Sequence, residues 1–137
     1  MDLSTRKATS ETAVVELYDP ETGEVLRNAD GLPMTVTIYG RESKHYRQVD
    51  HDITNRNISK AQRAGRVNVT AAQLEAQERE RVARCIEAWA ITYEGMSPPP
   101  LSVGEAERIL EDLPWVQEQL VTAMTNRAAF FKASFSA

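Results

Sequence analysis

Cysteine is nearly absent: Cys85 is the only one in 137 residues. One thiol excludes an internal disulfide and suits a reducing compartment. Imidazole is almost as scarce, with only His45 and His51. A metal site would have to draw its remaining ligands from carboxylates, because no further histidine or cysteine exists. Long apolar runs are missing too, and none approaches the roughly 20 residues that cross a bilayer. The opening residues Met1 to Lys7 lead into no apolar stretch, so no signal peptide is expected. Neither a Gly-x-Gly-x-x-Gly turn nor a phosphate-cradling Gly-Lys-Ser/Thr segment occurs. There is no internal repeat. Nucleotide-binding loops, disulfide scaffolds and helical membrane spans all lack their sequence signatures.

What is present is ordinary for a folded chain: 42% hydrophobic and 26% charged residues. Such a length buries about two-thirds of the unfolded surface and supports one core, so residues 1–137 are read as a single domain. The net charge of −4 conceals an asymmetry. Between Arg41 and Arg66, the cations Arg41, Lys44, Arg47, Arg56, Lys60, Arg63 and Arg66 outnumber Glu42, Asp50 and Asp52, and both ends of the chain are acidic. Such a segment is either a solvated helix or linker, or a surface for an acidic partner or a head-to-tail copy of the chain. Arg47 and Arg56 are its candidate partner contacts. Phosphate neutralisation is a further use. However, Tyr46 is the segment's lone aromatic for stacking and the whole chain is acidic, so nucleic acid is not the expected partner.

The pattern predicts an α+β fold, mainly α, in which a short N-terminal antiparallel β-hairpin or meander precedes a helical C-terminal half. Residues 1–12 are expected to be loose. Residues 13–40 make the meander: Ala13 to Tyr18 is strand-like, Asp19-Pro20-Glu21-Thr22-Gly23 turns, Glu24 to Leu26 returns, and Asn28 to Gly31 turns again. Met34 to Tyr39 then alternates, with Met34, Val36 and Ile38 on one face. Residues 41–69 form a basic weak helix running into a linker that ends near Gly65, because Asn55, Asn57 and Ser59 lower its propensity.

Residues 70–131 are expected to be helical, followed by a tail over 132–137. Thr70 and Gln73 stand at capping-box spacing. Behind them Leu74, Val82, Cys85, Ile86, Trp89 and Tyr93 predict one continuous apolar helical stripe ending at Gly95. Pro98-Pro99-Pro100 is a stiff connector. Ser102 and Glu105 form a second capping box, and Leu113-Pro114-Trp115 closes one helix and opens the next, since proline fits the first helical turn alone.

Asp50-His51-Asp52, with Asn55 and Asn57 nearby, is the one arrangement that invites a metal or nuclease reading. His45 and His51 lie six apart and point to different sides of a helix, so the pattern assigns no metal ligand. Cys85 falls on an apolar stripe and reads as a packed thiol. No catalytic residue and no cofactor site is assigned, and the chain is not expected to be an enzyme. Phe131 and Phe135 are different, because one helix face cannot bury all the aromatics from Phe130 to Phe135, and surplus aromatics near a chain end mark a contact surface.

Taken together, several stretches resemble a known family. Tyr18-Asp19-Pro20 with Thr22-Gly23, and Met34 through Gly40, are similar to the opening of the phage tail assembly chaperones. These are small proteins encoded between the tail-tube and tape-measure genes of long-tailed phages. Ile86-Glu87-Ala88-Trp89 before Gly95, Leu101-Ser102 through Ala106, Leu113 through Gln119, and Asn126 through Phe131 resemble the remainder. The Pro98–Pro100 connector and the basic middle depart from that pattern. The resemblance implies a non-enzymatic protein of the host cytoplasm. It would coat the tape-measure protein, recruit tail-tube protein and form homo-oligomers. A structural virion subunit of the tail or head–tail connector is the first alternative, and a small DNA-binding regulator the second.

Overall fold

The computed structural model describes residues 2–8, 10–66 and 69–131. Its order is β1 (Thr12–Glu16), β2 (Thr35–Tyr39), α1 (Lys44–Ala64), α2 (Ala71–Arg84), β3 (Ile86–Ala90), α3 (Val103–Asp112), α4 (Pro114–Thr125) and α5 (Arg127–Phe131), after a short 3-10 turn at Leu3–Arg6. The class is α+β and mainly α.

The three strands form one antiparallel sheet with β2 in the centre. Register puts Val15, Val36 and Trp89 in one row, on the face that the helices cover. Val14, Thr37 and Ala88 form the neighbouring row on the opposite face, where Val14 is exposed. Side chains alternate across a strand, so Val36 and Ile38 both enter the core. There they meet Val82 and Ile86 from the α2–β3 segment, Ile109 and Leu110 from α3, and Leu120 and Met124 from α4.

The third strand corrects the expected N-terminal meander. The return near Glu24 to Leu26 makes only isolated bridges, Tyr18 with Val25 and Arg27 with Pro33. The sheet is completed instead from residues 86–90. The predicted helix from Thr70 to Tyr93 therefore ends at Arg84, and Leu74, expected on the buried stripe, is exposed. The switch has a tertiary cause. The free edge of β2 offers unpaired backbone groups, and Tyr39 N–H donates to the Cys85 carbonyl at 2.9 Å as the chain leaves α2. A register irregularity between Thr37 and Ile38 absorbs the change of period.

Two further boundaries move. The start of the chain is pinned sooner than expected, because Ser10 N–H donates to the Phe130 carbonyl and Gly40 N–H to that of Glu11. In the basic middle, the expected weak helix and linker is one helix of 21 residues. Ser43 caps it by accepting from Tyr46 N–H, Val49 and Ile53 are buried, and Gly65 closes it in the left-handed region at φ 71°. Beyond Ile53 the helix leaves the core and runs beside α2. Its polar residues there find partners across the pair: Asn57 and Gln77 exchange two hydrogen bonds.

The helix-start signals fall where expected, one of them in part, whereas Gly95, expected as a helix stop, lies beyond β3. Thr70 and Gln73 make a complete capping box. Ser102 accepts from Glu105 N–H at 3.1 Å, but the Glu105 carboxylate turns to Arg108 instead of back to Ser102, leaving half a box. Pro114 opens α4 directly after α3. Among the described residues no helix is long and apolar enough to cross a membrane.

Candidate functional site

Among the described residues several concavities lie against this framework, and three of them bear on function. The first is an apolar cavity of about 220 Å³ between the covered face of the sheet and the α3–α4 elbow. Val36, Ile86 and Trp89 form its sheet wall; Leu17, Leu26 and Met34 come from the N-terminal loops; Ile109, Leu113, Trp115 and Leu120 come from the elbow. Local sequence explains the hollow. Pro114 forces the chain to bend between Leu113 and Trp115, so two large side chains flank the break and stay half-buried. Ala106, fully buried on α3, has only a methyl group to send into the space.

The polar side-chain atoms of Trp89, Thr92 and Tyr93 on this lining are already engaged. Trp89 Nε1–H donates to the Pro99 carbonyl at 2.8 Å, Thr92 Oγ1 bonds Ser97 Oγ at 2.8 Å and accepts from Ala29 N–H, and the Tyr93 hydroxyl donates to Asp112. That last bond pushes the Tyr93 phenol up to about 12. The Arg108 guanidinium lies 5.3 Å from the Tyr93 ring centroid and bonds Glu105 at 2.6 Å and Glu94 at 3.0 Å. Its hydrogen bond lowers the Glu105 pKa, while those carboxylates raise that of Arg108.

The second concavity, about 530 Å³, is a cleft of mixed lining between the far halves of α1 and α2, lined by Arg56, Ile58, Lys60, Arg66, Val69 and Glu80 among others. Arg56 grips Glu80 with two bonds of 2.8 and 3.3 Å, which raises its own pKa and lowers that of Glu80. Arg41 reaches Glu78 at 3.4 Å. In the opposite sense Asp50 pairs with Arg81 and Asp52 with Arg84, both at 2.9 Å. Two cations of the basic stripe, Arg41 and Arg56, are thus paired with α2.

The third is a groove of about 250 Å³ bounded by Gly40, Arg47, Met124, Arg127, Phe130 and Phe131. Two residues singled out from the sequence, Phe131 and Arg47, meet here. Phe131 is half-buried, and Arg47 donates to the Glu42 carbonyl at 2.9 Å. Arg56 is elsewhere, in the cleft with Glu80. Phe135 lies outside the described residues.

The candidates for chemistry are dispersed. His45 stacks on Tyr39 with ring centroids 4.0 Å apart, and its Nε2 lies 2.7 Å from the Arg84 carbonyl oxygen. His51 is exposed on α1. Among the described residues no three of His, Cys, Asp and Glu come together as metal ligands. Cys85, fully buried at the end of α2, has its thiol pushed up to about 12 by desolvation, and it stays protonated at neutral pH.

Sequence reasoning put Met34 on one face of a strand and Trp115 at a helix start, and missed that both wall a cavity. The available signal was the Leu113-Pro114-Trp115 break, which sets bulky side chains on both sides of a bend. Comparison with known proteins returns no matching protein family, no matching curated protein and no matching solved structure.

Proposed function

We propose that this chain is a non-enzymatic binding protein, a phage tail assembly chaperone that covers the tape-measure protein and recruits tail-tube subunits in the host cytoplasm. The apolar cavity carries the reading. An apolar cavity of about 150 Å³ already stays dry and takes a benzene-sized guest, and this one is larger, at about 220 Å³. Half-buried Leu113 and Trp115 leave its wall within reach of another chain. A long helical partner exposes apolar side chains until they are covered, and a small domain with such a pocket takes them one by one. Many weak copies along one partner gain from effective concentration, and self-association of the copies adds to that. The resemblance in residues 13–40 and 82–131 supplies the identity of the partners.

Co-expression with the tape-measure protein from the same genome is the test. The expected result is a complex that purifies together, with this chain missing from mature particles. Persistence in particles at fixed copy number would favour the virion-subunit reading, for which the free edges of β1 and β3 offer a route to sheet extension. The DNA-regulator reading draws less support, since Arg41 and Arg56 are held by Glu78 and Glu80. Duplex DNA binding at low salt that vanishes at high salt would revive it.

A further inference from the structure

We propose that the apolar cavity receives a single bulky apolar side chain, leucine- to tryptophan-sized, from a partner segment whose flanking residues are lysine or arginine. The inference rests on the reading above, that the chain binds another protein, and adds the chemistry of the bound segment.

The lining selects against anything polar. Of the polar side-chain atoms on it, those of Trp89, Thr92 and Tyr93 are already bonded within the protein, to Pro99, to Ser97 and Ala29, and to Asp112, which leaves the indole N–H of Trp115. A guest with a hydrogen-bonding group would leave that group unpaired in an apolar space. A hydrocarbon or aromatic side chain loses nothing on entry and gains the contacts that the empty volume denies the walls.

The flank follows from charge. Arg108 sits over the ring of Tyr93 and is shared by Glu94, Glu105 and Asp112, at 3.0, 2.6 and 4.0 Å. One guanidinium against three carboxylates leaves two negative charges uncompensated around Tyr93, which lines the cavity. Low-dielectric walls focus such a field and draw cations to the rim. Arg27, on the loop between Leu26 and Met34, is turned to the Gly31 carbonyl at 3.1 Å. A basic flank therefore meets complementary charge at the moment its neighbour enters the pocket.

The protein carries its own probe, because its two tryptophans, Trp89 and Trp115, both line the cavity. Three synthetic helical peptides should be titrated against the full chain: phenylalanine between lysines, the same phenylalanine between glutamates, and the lysine peptide with alanine in place of phenylalanine. The lysine–phenylalanine peptide should shift the tryptophan emission and bind about tenfold tighter than either control at low salt, its lead over the glutamate peptide shrinking as salt rises. Ala106→Leu, which fills the cavity, should abolish the shift. Asp112→Asn, which leaves the cavity intact and halves the uncompensated charge, should reduce only the salt-sensitive part.

Equal affinity for the two phenylalanine peptides would overturn the basic flank, and equal affinity for phenylalanine and alanine would overturn the anchor. Self-association of the chain alone that Ala106→Leu abolishes would give the pocket to a second copy, and that also overturns the proposal. If no peptide binds while the tape-measure protein still co-purifies, this inference falls and the chaperone reading stands. If the peptides bind as expected and the tape-measure protein does not, the reverse holds.

Discussion

The ring of Phe130 fills the space where a β-carbon of Gly40 would stand: such an atom would lie 2.8 Å from Phe130 Cζ and 2.9 Å from Cε1. This contact ties α5 to the end of β2. Nearby, Ser10 N–H donates to the Phe130 carbonyl and Arg41 N–H to that of Met124, so three separate stretches of chain meet at one glycine. Glycine is needed here for close approach of a side chain to the backbone.

Gly40→Ala should accordingly destabilise the fold by about 1–3 kcal/mol through overpacking. Phe130→Ala, which empties a buried site, should cost about 3–5 kcal/mol. The double variant should cost clearly less than the two together, since the added methyl then has room. Denaturant midpoints of the four proteins check this, and strict additivity would sink it.

The reciprocal amide pair of Asn57 and Gln77 predicts a local effect. The bonds are 3.1 and 2.8 Å and lie where α1 has passed beyond its buried residues. Asn57→Ala or Gln77→Ala should each cost about 0.5–1.5 kcal/mol, with little added by the second change. Hydrogen exchange should quicken in the far halves of α1 and α2 while β2 stays protected. Uniform quickening throughout the chain would show that the hairpin end is not a separate unit.

Those two helices also show what a sequence conceals. The alternation of Val36 and Ile38, the turn at Asp19–Gly23 and the break at Pro114 are local signals, and each is found in place. Asn55, Asn57 and Ser59 argued locally against a long α1, yet Asn57 finds its partner on α2, in Gln77, 20 residues away in sequence. Ile86 to Ala90 keeps the helical phase of the residues before it, with no glycine or proline to mark a stop. Only the free edge of β2 decides its conformation. The cavity was hidden for the same reason. Met34 read as one face of a strand and Trp89 as part of a helical stripe, and the space they share with Leu26, Ile109 and Trp115 exists only after five segments have been assembled.

The two serine/threonine helix starts are predicted to behave differently. Thr70 holds a complete box with Gln73, its N–H donating to Gln73 Oε1 at 2.9 Å, whereas Glu105 has left Ser102 for Arg108. Thr70→Ala and Ser102→Ala should each cost about 1 kcal/mol. Gln73→Ala should fray the start of α2, while Glu105→Ala should leave the start of α3 as protected as before and free Arg108 instead. Amide protection over residues 71–74 and 103–106 distinguishes these outcomes. Equal fraying of both starts would contradict them.

Acid sensitivity follows from the ion pairs that join α1 to α2. The Arg56 hydrogen bond holds the Glu80 carboxyl below its ordinary 4.5, and those from Arg84 and Gln48 hold Asp52 below its ordinary 3.8. Each group binds a proton less readily folded than unfolded, so its contribution is complete above the ordinary value and is lost as pH falls through the depressed one. Stability should therefore decline from about pH 4.5 downward as Glu80 protonates, and Asp52 should follow from about 3.8. Glu80→Gln removes the first of these steps. That variant should be less stable than the parent at neutral pH, with a flatter slope below 4.5, so that the two curves converge in acid. Urea midpoints measured across that range check the sign. Parallel curves would mean that the Arg56–Glu80 pair contributes nothing that depends on its charge.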